Sequence, residues 1–150
     1  MRGAGFQMRQ LSHNFEYDLA RVLLVDDDPA SRLTLKVLLE AGGYNVDAAA
    51  SAAEAVGKLD ESEYELVLSD LQMESPEAGL KVLAHARMME YKPATALITT
   101  YQNEPPEPSR RQRSVLISPV DVPGLLSKVA DLISQRATRR LERELRVAGA

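Results

Sequence analysis

Residues 21–29 read Arg-Val-Leu-Leu-Val-Asp-Asp-Asp-Pro, an apolar run that stops at three consecutive aspartates. The apolar part predicts a short buried strand, and a proline directly after the acidic residues is typical of the first turn of a helix. Carboxylates this close together repel one another, so a fold that gathers them at a strand end generally brings a cation to them. Oxygen ligands favour a hard ion, and magnesium in particular where a phosphate group is handled.

A second strand of the same kind ends at Asp70, in the stretch Tyr-Glu-Leu-Val-Leu-Ser-Asp at residues 64–70. In an open parallel sheet the carboxyl ends of the strands meet at one edge, where ligands bind. The two junctions therefore predict that Asp26, Asp27 and Asp70 lie in one cleft. The alternative is that residues 26–28 form a solvated turn in which Asp28 only caps the following helix.

The composition predicts one ordinary globular domain. The 150 residues are 45% hydrophobic and 27% charged, which is enough for a single core. Cysteine is absent, which excludes disulfides and thiolate metal sites. No apolar run approaches the roughly 20 residues of a membrane span and no signal-peptide core is present, so we expect a cytoplasmic protein without membrane contact. A net charge of −4 argues against nucleic acid as a direct partner.

From residue 21 onward, predicted strands and helices alternate, which indicates an α/β fold with a parallel sheet covered on both faces. Strands are predicted at 21–25, 45–49, 66–69, 94–99 and 114–117. Helices are predicted at 29–41, from a capping box at 51–54 to about residue 60, at 78–90, and from about residue 122 to 145. In the first helix, Leu33, Val37 and Leu38 recur at helical spacing. Three prolines between the last two strands disfavour a regular helix and predict a shortened or irregular fourth crossover: Pro105, Pro106 and Pro108.

Residues 21–134 resemble the receiver domain of the bacterial two-component response regulators. The resemblance rests on residues 25–29, on the strands that end at Asp70 and Thr99, and on Pro119 after the fifth strand. It implies a flavodoxin-like, doubly wound sheet of five parallel strands. It also divides the chain into an N-terminal arm (1–20), a receiver domain (21–135) and a basic C-terminal helical extension (136–150).

The resemblance implies a role for each candidate site residue. In this family an aspartate at the end of the third strand accepts a phosphoryl group from a histidine kinase, so Asp70 would be the phosphoacceptor. Magnesium would be held by Asp27, Asp70 and the main-chain carbonyl of Gln72, with Asp26 acting through water. Thr99 would supply the switch hydroxyl that bonds the phosphoryl oxygen. This chemistry requires an in-line nucleophile and cations on the equatorial oxygens.

The sequence departs from the family pattern at four places. The largest departure is Ser118, which stands where the family carries a lysine before proline. A serine hydroxyl donates one neutral hydrogen bond, about half as strong as the charge-assisted bond of a lysine. The other three are Thr100 after the switch threonine, Met73-Glu74 where Met-Pro is usual, and the proline-rich stretch at the position of the fourth helix.

Three functions are consistent with the sequence. The first is a receiver that is phosphorylated by a histidine kinase or a phosphotransfer protein and contacts a downstream protein; it is not an enzyme beyond self-catalysed phosphoryl transfer to, and hydrolysis from, Asp70. The second is a phosphorylation-independent pseudo-receiver that acts as a protein-interaction adapter, which Ser118 favours. The third is a magnesium-dependent phosphohydrolase with Asp26 as nucleophile and Asp28 as acid. We also hypothesise that the extension serves partner docking or self-association as a homodimer, since it exceeds what a receiver core requires.

Overall fold

The computed structural model describes residues 19–70, 73, 75–98, 115–117 and 122–149. Within these residues it contains the strands β1 (Arg21–Val25), β2 (Asn45–Ala49), β3 (Leu66–Asp70), β4 (Ala94–Ile98) and β5 (Val115–Ile117). It also contains the helices α1 (Pro29–Ala41), α2 (Ala52–Glu61), α3 (Pro76–Arg87) and α4 (Val122–Gly149). The predicted irregular crossover at 99–114 and most of the predicted N-terminal arm lie outside the described residues.

The five strands form one parallel sheet in the order β2-β1-β3-β4-β5. β3 is central, and all five of its residues are buried. The chain moves outward from β1 to β2 and then returns to the other side of β1 as β3, so the strand order reverses between β1 and β3. A sheet of this kind leaves a crevice at the carboxyl ends of those two strands. The predicted doubly wound, flavodoxin-like sheet is confirmed.

Alternate strand residues face two hydrophobic cores, one on each side of the sheet. In β1, Val22 and Leu24 pack in the core beneath α1 and α4, whereas Leu23 and Val25 pack in the core beneath α2 and α3. Because both faces of the sheet are covered, β1 and β3 are apolar along most of their length instead of alternating with polar residues. The carboxyl edge of the sheet, where the acidic residues lie, is therefore supported from both sides.

The helix starts follow local capping rules, with two differences from the prediction. The Ser51 Oγ accepts a hydrogen bond from the Glu54 amide (3.1 Å), but the Glu54 carboxylate accepts one from Ala50 (2.8 Å), one residue before the expected partner. Helix α3 begins at Pro76 rather than 78, because proline suits the first helical position, and it ends at Arg87 rather than 90. Lys92, in the turn that follows, has a positive φ of 45°.

The buried face of α1 differs from the one that the sequence spacing indicated. Leu35 and Leu39 are buried, whereas Leu33 and Val37 are 64% and 54% exposed. Both pairs have the i, i+4 spacing of a helical face, so periodicity alone cannot choose between them. The contacts of α1 with β1 and β2 determine which pair is covered.

Helix α4 has 28 residues and contacts the sheet only along its first half. Its buried positions are Leu125, Val129, Leu132 and Arg136, and every residue from 137 to 149 is exposed. Arg136 is 6% exposed, and its guanidinium donates hydrogen bonds to the main-chain carbonyls of Tyr91 (2.6 Å) and Lys92 (3.0 Å). Among the described residues, no helix is both long enough and apolar enough to cross a membrane.

Candidate functional site

Three carboxylates meet at the carboxyl edge of the sheet, between β1 and β3. One oxygen each from Asp26, Asp27 and Asp70 lies within 4.8 Å of the other two. Asp26 directly follows β1 and Asp70 ends β3, so the crossover from β2 to β3 brings together groups that are 44 residues apart. Asp26 is 1% and Asp70 is 6% exposed, whereas Asp27 lies open to solvent. The convergence that the two strand ends predict is present.

The Asp26 carboxylate is buried and only half satisfied. Its Oδ1 accepts a hydrogen bond from the Asp28 amide at 3.0 Å, whereas its Oδ2 has no hydrogen-bond partner within the described part of the chain. An unpaired buried carboxylate oxygen costs free energy unless something compensates it. A cation bound directly or through water would supply that compensation, so the donor chemistry of this cluster fits magnesium.

Asp28 and Arg32 define the wall of the cleft on the side of α1. The Asp28 Oδ2 accepts a hydrogen bond from the Ser31 amide at 2.9 Å and so caps α1. For Asp28, the helix-capping role given by the solvated-turn alternative is therefore present. The Arg32 side chain reaches back along the helix, and its Nη1 donates to the main-chain carbonyl of Asp26 at 2.9 Å. Arg32 thus fixes the backbone at the end of β1. The sequence reasoning missed this role, for which the only signal was an arginine one turn after the acidic run.

On the opposite wall, α3 approaches the end of β3 very closely at Gly79. A Cβ atom built on Gly79 would lie 2.6 Å from the Asp70 carbonyl oxygen and 3.1 Å from the Ser69 Oγ. Ser69 is itself fully buried. The sequence reasoning did not single out Gly79, because a glycine inside a helical pattern does not reveal what lies opposite it.

Three predicted site residues lie outside the described part of the chain: Gln72, Thr99 and Ser118. Two of the family departures, Thr100 and Glu74, lie outside it as well. Met73 is described and is buried in the core beneath α2 and α3. The roles inferred for Gln72, Thr99 and Ser118 therefore remain predictions.

The amino end of the sheet carries charged groups of a different kind. Arg21 Nη2 lies 2.8 Å from Asp47 Oδ2, and the Arg21 guanidinium stacks 5.0 Å above the centre of the Tyr64 ring. The Tyr64 hydroxyl donates to the same Asp47 oxygen at 2.7 Å. Burial, followed by the Asp47 carboxylate, raises the pKa of the Tyr64 phenol far above its ordinary value. This network is a structural tie between β1, β2 and the start of β3.

The chain matches the family model of the response regulator receiver domain over residues 22–110. Since the match covers more than half of the chain, the chain belongs to that family, the receivers of two-component systems. Magnesium binding in an acidic pocket and phosphorylation on an aspartate are general features of the family. Asp26, Asp27 and Asp70 form such an acidic pocket here.

Comparisons with individual proteins agree with the family. The transcriptional regulatory protein GlrR of Escherichia coli K12 is 32% identical over 127 residues, which cover 83% of this chain but only 28% of GlrR. A CheY-like receiver domain protein from Methanospirillum hungatei is similar in structure, with a TM-score of 0.70, 28% identity, and coverage of 81% of this chain and 98% of that one. The response regulator TrrA of Thermotoga maritima, solved in complex with Mg(2+)-BeF, gives a TM-score of 0.64 at 30% identity, over 76% of this chain and 99% of that one.

Proposed function

We propose that this chain is a phosphorylation-dependent receiver in which Asp70 accepts the phosphoryl group. The observation that carries the proposal is the meeting of three carboxylates within 4.8 Å, one of them with a buried oxygen that has no partner among the described residues. Asp47, by contrast, is a single carboxylate that is paired with Arg21 and Tyr64. Three carboxylates this close favour a bound cation, and phosphoryl transfer uses one.

The transfer step uses the carboxylate of Asp70 as the nucleophile. A carboxylate oxygen attacks the phosphorus of a phosphohistidine on the donor protein, a P–O bond forms, and the P–N bond breaks with its electron pair leaving on the imidazole, which takes a proton from solvent. Hydrolysis reverses the modification, since water attacks the phosphorus and the Asp70 carboxylate is released with inorganic phosphate. We assign Asp26, Asp27, Asp70 and the main-chain carbonyl of Gln72 as the groups that would hold magnesium, which when bound would neutralise charge on the phosphoryl oxygens.

Two further residues complete the proposed mechanism. Thr99 is assigned the hydroxyl that bonds a phosphoryl oxygen once Asp70 is modified, since it directly follows β4, the neighbour of β3. Ser118 follows β5 and takes the position of the family lysine. Because Ser118 supplies a neutral donor in place of a cation, we expect slower phosphorylation or a shorter lifetime than a lysine would give.

Intact-mass spectrometry after incubation with a small acyl phosphate and magnesium tests the proposal. We expect a magnesium-dependent phosphoryl adduct on the wild type, no adduct on Asp70→Asn, and a larger yield or longer lifetime on Ser118→Lys. Asp47→Asn, which changes a carboxylate at the other end of the sheet, is the matched control and should keep the adduct. A wild type that binds magnesium but takes no phosphoryl group would favour the pseudo-receiver adapter.

The phosphohydrolase hypothesis uses the same pocket differently. It assigns Asp26 as nucleophile and Asp28 as acid, but the Asp28 carboxylate already caps α1 by accepting a hydrogen bond from the Ser31 amide. Turnover of a phosphate ester by the wild type and not by Asp26→Asn would support it over the receiver.

For the phosphodonor we propose a docking surface on α1. Leu33 and Val37 form an exposed apolar pair on the helix that starts at the acidic cleft. A protein that delivers a phosphoryl group to Asp70 must cover this edge of the sheet, and an apolar pair one to two turns from the cleft provides contact area. Leu33→Glu should slow transfer from a phosphohistidine protein and leave transfer from acyl phosphate unchanged. Equal slowing with both donors would contradict a docking role, because the substitution would then act on the acidic pocket itself.

For residues 136–150 we propose a helical extension that contacts a second copy of the chain. Leu141 and Leu145 are exposed, and Leu141 lies nine residues, about two and a half turns, after Leu132, so it faces away from the sheet that covers Leu132. The described part of the receiver therefore leaves this pair uncovered. Glu142 and Glu144 flank the pair. In a parallel alignment of two copies with these leucines in the seam, Glu142 would lie opposite Ala137 of the other copy and Glu144 opposite Gly149. The acidic residues would therefore not face one another.

The mass in solution tests the extension. Leu141→Glu and deletion of residues 138–150 should both convert a dimer to a monomer in light scattering. Val147→Glu is the control, because Val147 is 79% exposed but lies on another side of the helix. A wild type that is monomeric at all concentrations would contradict the proposal.

A further inference from the structure

Gly79 is the position where α3 touches the main chain of the proposed phosphoacceptor. A Cβ at this residue would lie 2.6 Å from the Asp70 carbonyl oxygen, a separation that packed atoms do not tolerate. The second close atom is the Ser69 Oγ at 3.1 Å. Both neighbours belong to the last two residues of β3, and Ser69 is fully buried, so neither has open space to move into.

The obstructing atom belongs to the backbone and not to a flexible side chain. A side chain could rotate away from an added methyl group, whereas the Asp70 carbonyl can move only if the end of β3 or the start of α3 moves with it. The Asp70 carboxylate would be displaced in the same step, because it branches from the same residue. Its distances to Asp26 and Asp27, which follow β1, would then change, since β1 is also held on its other side by its pairing with β2.

A second helical glycine shows that this contact is particular to α3. Gly57 lies inside α2, and a Cβ added there would meet no atom of the described residues within 4 Å. Glycine is an unfavourable residue in both helices, because it loses more backbone entropy than alanine. At Gly57 the packing offers no reason for glycine, whereas at Gly79 the approach of the Asp70 main chain requires it.

We propose that Gly79 is a positioning residue for phosphoryl transfer. Because it lacks a side chain, the α3 backbone can lie against the Asp70 main chain, and this contact sets the spacing of the Asp70 carboxylate from Asp26 and Asp27. This inference rests on the proposed role of Asp70 as phosphoacceptor. It adds a determinant outside the set of groups that touch magnesium or the phosphoryl group. It also predicts that the rate of modification depends on the close approach of the α3 backbone to Asp70 at Gly79, although no side chain of α3 takes part in the chemistry.

The experiment compares four chains: wild type, Gly79→Ala, Gly57→Ala and the double variant. Phosphorylation by acyl phosphate with magnesium is followed by intact mass, magnesium affinity by titration, and folding by thermal unfolding. Displacements of about 1 Å at a reacting group can cost about 100-fold in rate, so we expect Gly79→Ala to slow phosphorylation by about 10- to 100-fold. Magnesium affinity should fall in parallel, and Gly57→Ala should match the wild type in both.

A third substitution separates positioning from loss of stability. Val82 is fully buried one turn further along α3, and Val82→Ala removes core packing without adding an atom near Asp70. We expect it to lower the melting temperature yet keep the wild-type rate in conditions where the chain is folded. Gly79→Ala should show the reverse, a large loss of phosphorylation rate. In the double variant, Gly57→Ala should restore the melting temperature but not the rate.

Each outcome decides the inference. Wild-type rates in Gly79→Ala, or equal loss of rate in Val82→Ala, overturn it while leaving the role of Asp70 intact. A Gly79→Ala chain that does not fold even with Gly57→Ala also overturns it, because the glycine would then be needed for folding and not for geometry. A wild type that takes no phosphoryl group overturns the proposed function, and the inference with it.

Discussion

The charged residues at the two ends of the sheet are arranged differently. At the amino end, Arg21, Asp47 and Tyr64 satisfy one another through an ion pair, a hydrogen bond and a stacked guanidinium. At the carboxyl end, three carboxylates lie together, and one buried Asp26 oxygen has no partner within the described residues. An unpaired buried oxygen alone does not separate the two ends, since Glu65 Oε2 near the amino end also lacks a hydrogen-bond partner among the described residues. What sets the carboxyl end apart is that three carboxylates meet there, an arrangement typical of a site that binds a cation.

The largest expected effect is the loss of phosphorylation in Asp70→Asn. An amide oxygen is a poor nucleophile, so the adduct should vanish completely in intact-mass measurements. The comparison is sharpened by Asp47→Asn, which removes a carboxylate charge from the paired end and should leave the adduct at the wild-type level. Equal loss in both variants would show that adduct formation depends on overall stability and not on the acidic pocket.

The second prediction concerns the unpaired charge at Asp26. Asp26→Asn relieves repulsion and keeps an oxygen to accept the Asp28 amide, so the metal-free protein should gain about 1 kcal/mol in free energy of unfolding. Magnesium at a hundred times its Kd should add about 2.7 kcal/mol to the wild type, and the variant should lose most of this gain. Thermal unfolding with and without magnesium measures both. A metal-free variant less stable than the wild type would mean that the acidic end is paired after all.

The third prediction tests the paired end through Arg136, whose side chain lines a cleft of about 240 Å³ together with Arg21, Tyr64 and four other residues. Arg136→Ala removes two hydrogen bonds and leaves the carbonyls of Tyr91 and Lys92 unmatched, which should cost about 2 kcal/mol in denaturant unfolding. Burial lowers the pKa of the Arg136 guanidinium, and Glu65 opposes that shift. Arg139→Ala, on the exposed side of the same helix, should change stability by less than about 0.5 kcal/mol. A similar loss in free energy of unfolding for both substitutions would contradict a structural role of Arg136.

The smallest effect is expected from Tyr64→Phe, which keeps the ring beneath Arg21 and removes the hydrogen bond to Asp47. The loss should be about 1 kcal/mol near neutral pH. Because burial raises the pKa of the Tyr64 phenol in the folded protein, the unfolded chain ionises first. Wild-type stability should therefore hold below about pH 10, the ordinary value for tyrosine, and fall above it. Unfolding measured as a function of pH should show a smaller decline in Tyr64→Phe. An unchanged decline would mean that it arises from Tyr44 and Tyr91, whose pKa values burial also raises.

The sequence predicted those features of the molecule that depend on local rules. Apolar runs, a proline at the start of α1 and the serine cap of α2 placed the elements to within a few residues. The convergence of Asp26 and Asp70 was also predictable, because parallel strands share one carboxyl edge. Their roles in binding and phosphoryl transfer, with those of Gln72, Thr99 and Ser118, stay predictions.

What the sequence could not reveal depends on distances through space. The exposed side of α1 was not predictable, because Leu33 and Leu35 belong to equally periodic apolar pairs. Gly79 gave no signal, since its importance lies in an atom of Asp70 that the chain brings opposite it. Arg136 belongs to an arginine-rich run that is typical of a solvated face, yet it is the buried member of that run.

The length of α4 has a mechanical consequence. Its thirteen exposed residues after Arg136 extend about 20 Å at 1.5 Å per residue, while the anchored half is fixed by Leu125, Val129 and Leu132 against the sheet. Because the helix is one continuous rod, a tilt of about 10° in its anchored half would move the tip by about 3 Å relative to Arg136. Arg136 is also bonded to the turn that leads into β4, the strand beside Asp70. A small adjustment of the sheet would therefore reach the tip of α4 as a larger displacement.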